Sequence, residues 1–120
     1  MPSDIVRSQI ADLPHEMTTT GSELPGHDLV ENLGVVRGVV VRSRSVFGTI
    51  GGVLRSLVGG NIGAFTSLAE KTRSQAFETM LHQAHNAGAN AVIGIRYDAN
   101  DIMDGVNEVV CYGTAVWVES

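Results

Sequence analysis

The sequence TSLAEKTRSQAFETMLHQAHN, residues 66–86, predicts one long helix. It contains neither glycine nor proline, and its apolar side chains recur at spacings of three and four residues, as one face of an α-helix requires. Ser67 and Glu70 form a predicted capping box at its start, and Gly88 is placed to end it. The apolar stripe consists of Ala69, Ala76, Phe77, Met80, Leu81, Ala84 and Ala87.

Three segments around this helix have the composition of β-strands. Residues 28–41 are dense in valine and leucine, and the only breaks, Gly34 and Gly38, predict a bend at one of the two glycines. Residues 91–97 and 108–118 are the other two, joined by a polar connection. We therefore expect an α+β subunit of βαβ type, in which one long amphipathic helix packs on a mainly antiparallel sheet.

The remaining segments are shorter or richer in glycine and proline. Residues 1–16 hold two of the three prolines and show no sustained period, which predicts a flexible N-terminal arm. Residues 17–120 then form a single domain, which opens with a short strand over residues 17–20. Residues 47–65 place glycines around an apolar patch and predict a short amphipathic helix.

Composition and charge exclude several classes of function. The 120 residues are 43% hydrophobic and 18% charged, which is typical of one folded domain. A net charge of −5 with only 8 lysines and arginines disfavours nucleic acid as a partner. No apolar run is long enough to span a membrane, and the first residues lack a secretory pattern. With Cys111 as the single cysteine, we expect a cytoplasmic protein.

The last predicted strand suggests self-association, because both of its faces are largely apolar. One long helix and one short helix cover a single face of a small sheet, so the other face needs a second subunit or the short helix folded over it. One face presents Val109, Cys111, Gly113, Ala115 and Trp117, and the other presents Val110, Tyr112, Thr114, Val116 and Val118.

Three ordered motifs resemble the YbjQ-like family. They are LGVVRG at residues 33–38, LVGGNIGAFTSL at residues 57–68 and GANAVIGIRYD at residues 88–98, and the resemblance extends over residues 17–118. It implies a dodecin-like subunit fold assembled as a ring-shaped homopentamer. Members of the family are often labelled heavy-metal-binding domains, but the resemblance brings no set of cysteine and histidine ligands, and a CxxC pair is absent from this sequence.

One face of the long helix carries side chains that can bind a divalent metal ion. Glu78, His82 and His85 fall together on a helical wheel, nearly opposite the apolar stripe. Side chains three and four residues apart can reach a common ion of the zinc type. The alternative interpretation is an ordinary solvated helix face.

Arginines and glycines provide a second candidate site, for a small anion. Arg37, Arg73 and Arg96 stand in apolar surroundings, where an arginine needs a partner. They are interpreted either as an ion-pair network between subunits or as an anion pocket at a subunit interface. Backbone N–H groups would be added to that pocket by Gly59, Gly60 and Gly63.

Other chemistry finds less support in the sequence. Residues 98–108 are acidic, but Ile102 and Met103 occupy the positions where a calcium loop needs an oxygen ligand and a glycine. Cys111 lies in mid-strand without a nearby histidine, as an inert packed thiol does. We therefore expect a non-enzymatic, homo-oligomeric binding or scaffold protein that holds a small anion or metal at its interfaces. The alternative is a zinc-type metal-binding protein.

Overall fold

The computed structural model describes residues 13–43 and 62–120, and within them it has the predicted α+β architecture. A short 3₁₀ turn, His15–Met17, precedes strand β1, Asp28–Ser43. Helix α1, Ile62–Asn86, is followed by strands β2, Ala91–Met103, and β3, Val106–Glu119.

The three strands form one sheet in the order β1-β3-β2, and β3 runs antiparallel to both neighbours. β1 and β2 are therefore parallel to each other on opposite sides of β3, and α1 connects them. This arrangement is a split βαβ unit and confirms the mainly antiparallel sheet.

Strand β1 is bent at a glycine, as its sequence predicts. Its register with β3 shifts between Asn32 and Gly34, and Gly34 has a φ of 98°. The side chain of Asn32 accepts a hydrogen bond of 2.8 Å from the Gly34 N–H. Beyond this bulge the strand alternates regularly, so that Val36 and Gly38 face α1 while Val35 faces away.

Helix α1 begins earlier than predicted, at Ile62. Ser67 and Glu70 therefore lie inside the helix, and the predicted capping box is wrong. The helix includes Gly63, because one glycine lowers the stability of a helix by only about 1 kcal/mol. Of the predicted stripe, Ala69 and Ala87 are exposed. The buried members are Ala76, Met80, Leu81 and Ala84.

The predicted stop after α1 is confirmed. Gly88 has a φ of 89°, and the N–H of Ala89 reaches back to the carbonyl of Ala84 at 3.1 Å. Glycine adopts this left-handed conformation without steric cost.

The β2–β3 hairpin is longer than predicted. Residues 98–107 were expected to be a polar connection, but β2 continues to Met103 and β3 starts at Val106. Asp104 and Gly105 alone form the turn, with a φ of 77° at Gly105. An Asp-Gly pair is a strong hairpin signal, and strands that are exposed on both faces tolerate polar side chains.

The described part of the domain includes residues before Met17. Leu13, assigned above to a flexible arm, is only 5% exposed and belongs to the core under α1. Residues 13–16 are thus packed on the domain, because Leu13 buries apolar surface there. Residues 1–12 lie outside the described part.

Residues 17–21 run beside β2 instead of forming a full strand. Thr18 makes a single parallel bridge to Val92, and the Thr19 N–H donates to the Val92 carbonyl at 3.0 Å. This segment covers one end of the sheet face opposite α1, where Met17 and Leu24 pack on buried side chains. These buried side chains are Ala91, Val116 and Val118.

The main core lies between α1 and the sheet, as the two-faced pattern of β3 predicts. Cys111 and Ala115 of β3 pack under α1 against Met80 and Ala84, and all four are fully buried. The short helix predicted within residues 47–65 falls largely outside the described residues. Across residues 13–43 and 62–120, no helix has the length and hydropathy of a membrane span.

Candidate functional site

The helix face predicted to bind metal exists in the structure. Glu78, His82 and His85 line one small cavity of about 120 Å³ together with Leu13 and Leu81. Glu78 and His82 are exposed, whereas His85 is half-buried. The local spacing of the three residues on α1 is sufficient to bring them together.

A fourth side chain, His15, joins this face from the 3₁₀ turn. Its Nε2 atom lies 2.7 Å from Oε1 of Glu78, and its ring packs edge-on against Phe77 at 5.1 Å between centroids. Sequence reasoning missed His15, because 63 residues separate it from Glu78. Within the part of the chain that the structure describes, no three acidic, histidine or cysteine side chains are already arranged as a metal site.

The three arginines of the predicted anion site do not meet within a single chain. Arg37 and Arg96 are both paired with Tyr112 in the sheet. The side chains of these two arginines and of Tyr112 therefore point to the face opposite α1. Arg73 lies on α1, on the other side of the sheet. All three arginines are exposed, in contrast to the apolar surroundings that their sequence neighbours suggested.

Arg96 has partners that explain its position. Its Nη1 donates to the carbonyls of Thr20 and Ile95, each at 2.7 Å, and so ties the N-terminal segment to β2. Of the predicted glycines, Gly63 lies exposed in the first turn of α1. Gly59 and Gly60 are outside the described residues.

Sequence reasoning also missed Arg42. It stands near the end of β1 on the side that faces α1, and it lines a cavity of about 380 Å³ that Arg73 lines as well. The strict alternation of β1 was the available signal, since Val36, Gly38, Val40 and Arg42 occupy alternate positions. This cavity, between α1 and the β2–β3 hairpin, is referred to below as the hairpin cavity.

The single cysteine is packed in the core, as expected of an inert thiol. The Sγ atom of Cys111 lies 3.7 Å from Sδ of Met80. Burial raises the pKa of the Cys111 thiol, although a hydrogen bond with Tyr97 opposes this effect. A high pKa lowers the fraction of reactive thiolate.

The sheet face opposite α1 is partly bare. Along β1 the exposed fractions are 75% for Val35, 43% for Val39 and 52% for Val41. These residues alternate with the buried positions under α1, and in the described residues no other segment covers them. This apolar strip is named the valine face below.

Comparison with known proteins identifies relatives over nearly the whole chain. A family model described as "Putative heavy-metal-binding" matches residues 17–119. A UPF0145 protein of Solibacter usitatus is 58% identical over 106 residues, which cover 88% of this chain and 95% of the relative. A UPF0145 protein of Burkholderia lata is 52% identical over 116 residues, which cover 97% of both chains.

The fold is also similar to that of a solved structure. A protein of unknown function from Pediococcus pentosaceus, assigned to the DUF74 family, superposes with a TM-score of 0.55 at 14% sequence identity. The match covers 85% of this chain and 96% of that one, and it supports the fold alone. Because the family model and relatives of 52–58% identity cover most of its length, the chain belongs to the YbjQ family of UPF0145 proteins.

Proposed function

We propose that the chain is a homo-oligomeric binding or scaffold protein in which a second copy covers the valine face. The observation that carries this proposal is the exposure of Val35, Val39 and Val41 along one strand. Each buried aliphatic side chain is worth about 1.5–3 kcal/mol relative to an exposed one, so covering the strip is strongly favourable. Arg37 stands between Val35 and Val39 on this face, and exposed apolar surface rimmed by polar side chains commonly marks an interaction site.

The same face also carries charges of both signs, which suits contact with an identical subunit. Arg37 and Arg96 flank Tyr112 across the sheet, and Asp98 is paired with Val110 in the next row. Two copies of such a surface can match positive with negative groups. The family resemblance implies five subunits in a ring, and we adopt that number as part of the proposal.

Face packing is favoured over pairing along the strand edge. The outer edge of β1 lies beside α1, and the side chain of Gln83 accepts a hydrogen bond of 2.7 Å from the Arg37 N–H. A strand edge that is partly capped in this way is a poorer template for a further strand. Assembly through the valine face leaves this hydrogen bond in place.

Light scattering coupled to gel filtration tests this proposal. The wild-type chain of 12.7 kDa is expected to elute as one oligomer of about five times that mass. The double variant Val35→Asp, Val39→Asp should dissociate, because two carboxylates would have to be buried in the interface.

The matched control replaces two other exposed apolar residues, Ile102 and Met103 at the hairpin end, with aspartate. This variant should keep the wild-type mass. A wild-type monomer would overturn the proposal, and dissociation of the control alone would move the interface to the hairpin.

Metal binding is a second candidate function, favoured by the contact between His15 and Glu78. Two imidazoles and one carboxylate line one small cavity, a third imidazole contacts that carboxylate, and the exposed side chains can rotate toward a common ion. The family description, which names heavy metals, agrees with this candidate. Zinc bound to both side chains would replace the hydrogen bond between His15 and Glu78.

Calorimetry with zinc on protein without a histidine tag tests this second candidate. Uptake should weaken as the pH falls, because protons compete with zinc for the imidazole nitrogens. The variant His82→Ala, His85→Ala should lose zinc binding. His27→Ala should keep it, because the imidazole of His27 is hydrogen-bonded to the carbonyl of Pro25, away from this face. Absence of uptake, or uptake unchanged in the double variant, would leave this face as an ordinary solvated surface.

A further inference from the structure

The hairpin cavity has the size and the apolar walls of a small-molecule site. Its volume is about 380 Å³, within the usual range of ligand pockets. Val40, Val109 and Ala99 form a cross-strand row on its sheet side. Leu68 and Ala69 of α1 stand opposite this row.

Two arginines face this cavity without an acidic partner. Arg42 on β1 donates from Nη2 to Oε1 of Gln75 at 2.5 Å, which orients its guanidinium. Its Nε is buried and has no hydrogen-bond partner in the described residues. Neither Arg42 nor Arg73 forms an ion pair with a carboxylate of residues 13–43 or 62–120. A buried donor without a partner destabilises the fold, and an anionic group in the cavity would remove this cost.

One carboxylate, that of Asp101, lines the same cavity on the hairpin side. Asp101 and Arg42 are both paired with Asn107, one from β2 and one from β1. At a strand spacing of about 4.8 Å, their Cα atoms are roughly 10 Å apart. Glu108 is paired with Val41, so its carboxylate belongs to the opposite face of the sheet, where the amide of Asn100 donates to it at 3.5 Å. The cavity therefore has a cationic side and an anionic side.

We propose that the hairpin cavity binds a small zwitterion of the amino-acid type. Its carboxylate is held by Arg42 and Arg73, and its ammonium group by Asp101. An aliphatic side chain occupies the space between Leu68 and the valines of the sheet. A ligand with one charge would pair with only one side of the cavity and leave the other side without a partner. This binding site goes beyond the self-association proposed above and does not depend on it.

The test uses the full chain and the twenty standard amino acids at millimolar concentration. Thermal shift selects the amino acids that bind, and calorimetry then measures each dissociation constant. At least one amino acid with an aliphatic side chain is expected to bind. The corresponding carboxylic acid without the amino group, and the amine without the carboxylate, should each bind about tenfold more weakly or worse, because each loses one set of charge-assisted hydrogen bonds.

Matched variants locate the site. Arg42→Ala should weaken binding about tenfold or more, whereas Arg37→Ala, on the opposite face of the same strand, should not change it. Asp101→Asn should weaken binding, and Asp98→Asn should not. If Arg42→Ala does not fold, Arg73→Ala on the exposed surface of α1 replaces it.

Three results would overturn the proposal. They are no binding by any amino acid, binding that survives both arginine variants, and a carboxylic acid that binds as tightly as its amino acid. Light scattering on the same samples shows whether Arg42→Ala keeps the wild-type mass. Loss of amino-acid binding at the wild-type mass then points to the cavity, whereas a lower mass points to loss of the oligomer.

Discussion

Gly38 of β1 lies so close to α1 that a Cβ atom on it would come within 2.6 Å of the backbone nitrogen of Met80. The Cβ of Thr79 would be 2.9 Å away, and the Ala76 carbonyl would clash as well. Backbone atoms cannot rotate out of the way as a side chain can. The missing side chain at this position therefore permits the observed distance between helix and sheet.

We predict that Gly38→Ala lowers the free energy of unfolding by about 3 kcal/mol, because the helix must move away from the strand. Urea unfolding measures the change. Gly21→Ala is the control, since its Cβ would meet only ordinary contacts, of which the shortest is 3.4 Å to Oγ1 of Thr19. A loss below about 1 kcal/mol for Gly38→Ala would contradict the close packing of α1 on β1.

Leu13 and His15 attach the N-terminal segment to the domain in two different ways, by apolar burial and by a polar contact. Leu13 is buried in the core, whereas the His15–Glu78 contact is more than half exposed on both sides. Leu13→Ala should therefore cost about 2–3 kcal/mol, and His15→Ala less than about 1 kcal/mol. Urea unfolding of both variants decides the point, and a larger effect for His15 would show that the polar contact, not burial, holds the segment.

Stability should decrease in alkaline solution. Burial raises the pKa of Tyr97 to about 12 from 10.0, and the adjacent Cys111 acts in the same direction. Burial also raises the pKa of Cys111 above 9.0. The folded chain holds these protons more tightly than the unfolded chain. Their contribution to the free energy of unfolding is therefore complete at pH values below the pKa values of the unfolded chain, and it is lost as the pH rises through the raised pKa values of the folded chain.

The free energy of unfolding is therefore expected to fall from about pH 9 upward, and the Tyr97 contribution to disappear between pH 10 and 12. Water screens part of the effect, because Tyr97 is 43% exposed. Urea unfolding at several pH values measures it. Tyr97→Phe should flatten the curve above pH 10, and an identical curve for this variant would assign the loss to other groups.

The Cys111 thiol should be protected from reagents in the folded state. Its side chain is fully buried beside Met80. Reaction with a disulfide reagent should be at least about 100-fold slower than in urea, which corresponds to an opening free energy of about 3 kcal/mol. Met103→Cys adds a thiol at an exposed position and should react at once. Rapid modification of Cys111 in the native protein would argue against its burial.

Trp117, the only tryptophan, should report on the core. It is buried on β3, so Trp117→Ala should lower the free energy of unfolding by about 3–5 kcal/mol. Trp117→Phe, which keeps most of the apolar volume, should cost less. The native emission maximum should lie at shorter wavelength than in urea, and equal maxima in both states would show that the side chain is exposed.

The elements of this fold could be predicted from the sequence because their signals are local. The 3.6-residue period of α1, the alternation of β3 and the glycine after the helix all act over a few neighbouring residues. The same is true of Glu78 and His82, which share a helix face through their spacing alone. Errors occurred where a local signal was weak, as at Gly63 and in the polar part of β2.

The sequence alone therefore determined the α+β class, the long helix, and the side chains that share each face of it. Only the tertiary structure decided that His15 contacts Glu78, that Gly38 lies under Met80, and that Arg42 and Asp101 flank Asn107. These relationships depend on strand register and on the distance between helix and sheet. Both are set by the packing of segments far apart in the chain, where no sequence period carries information.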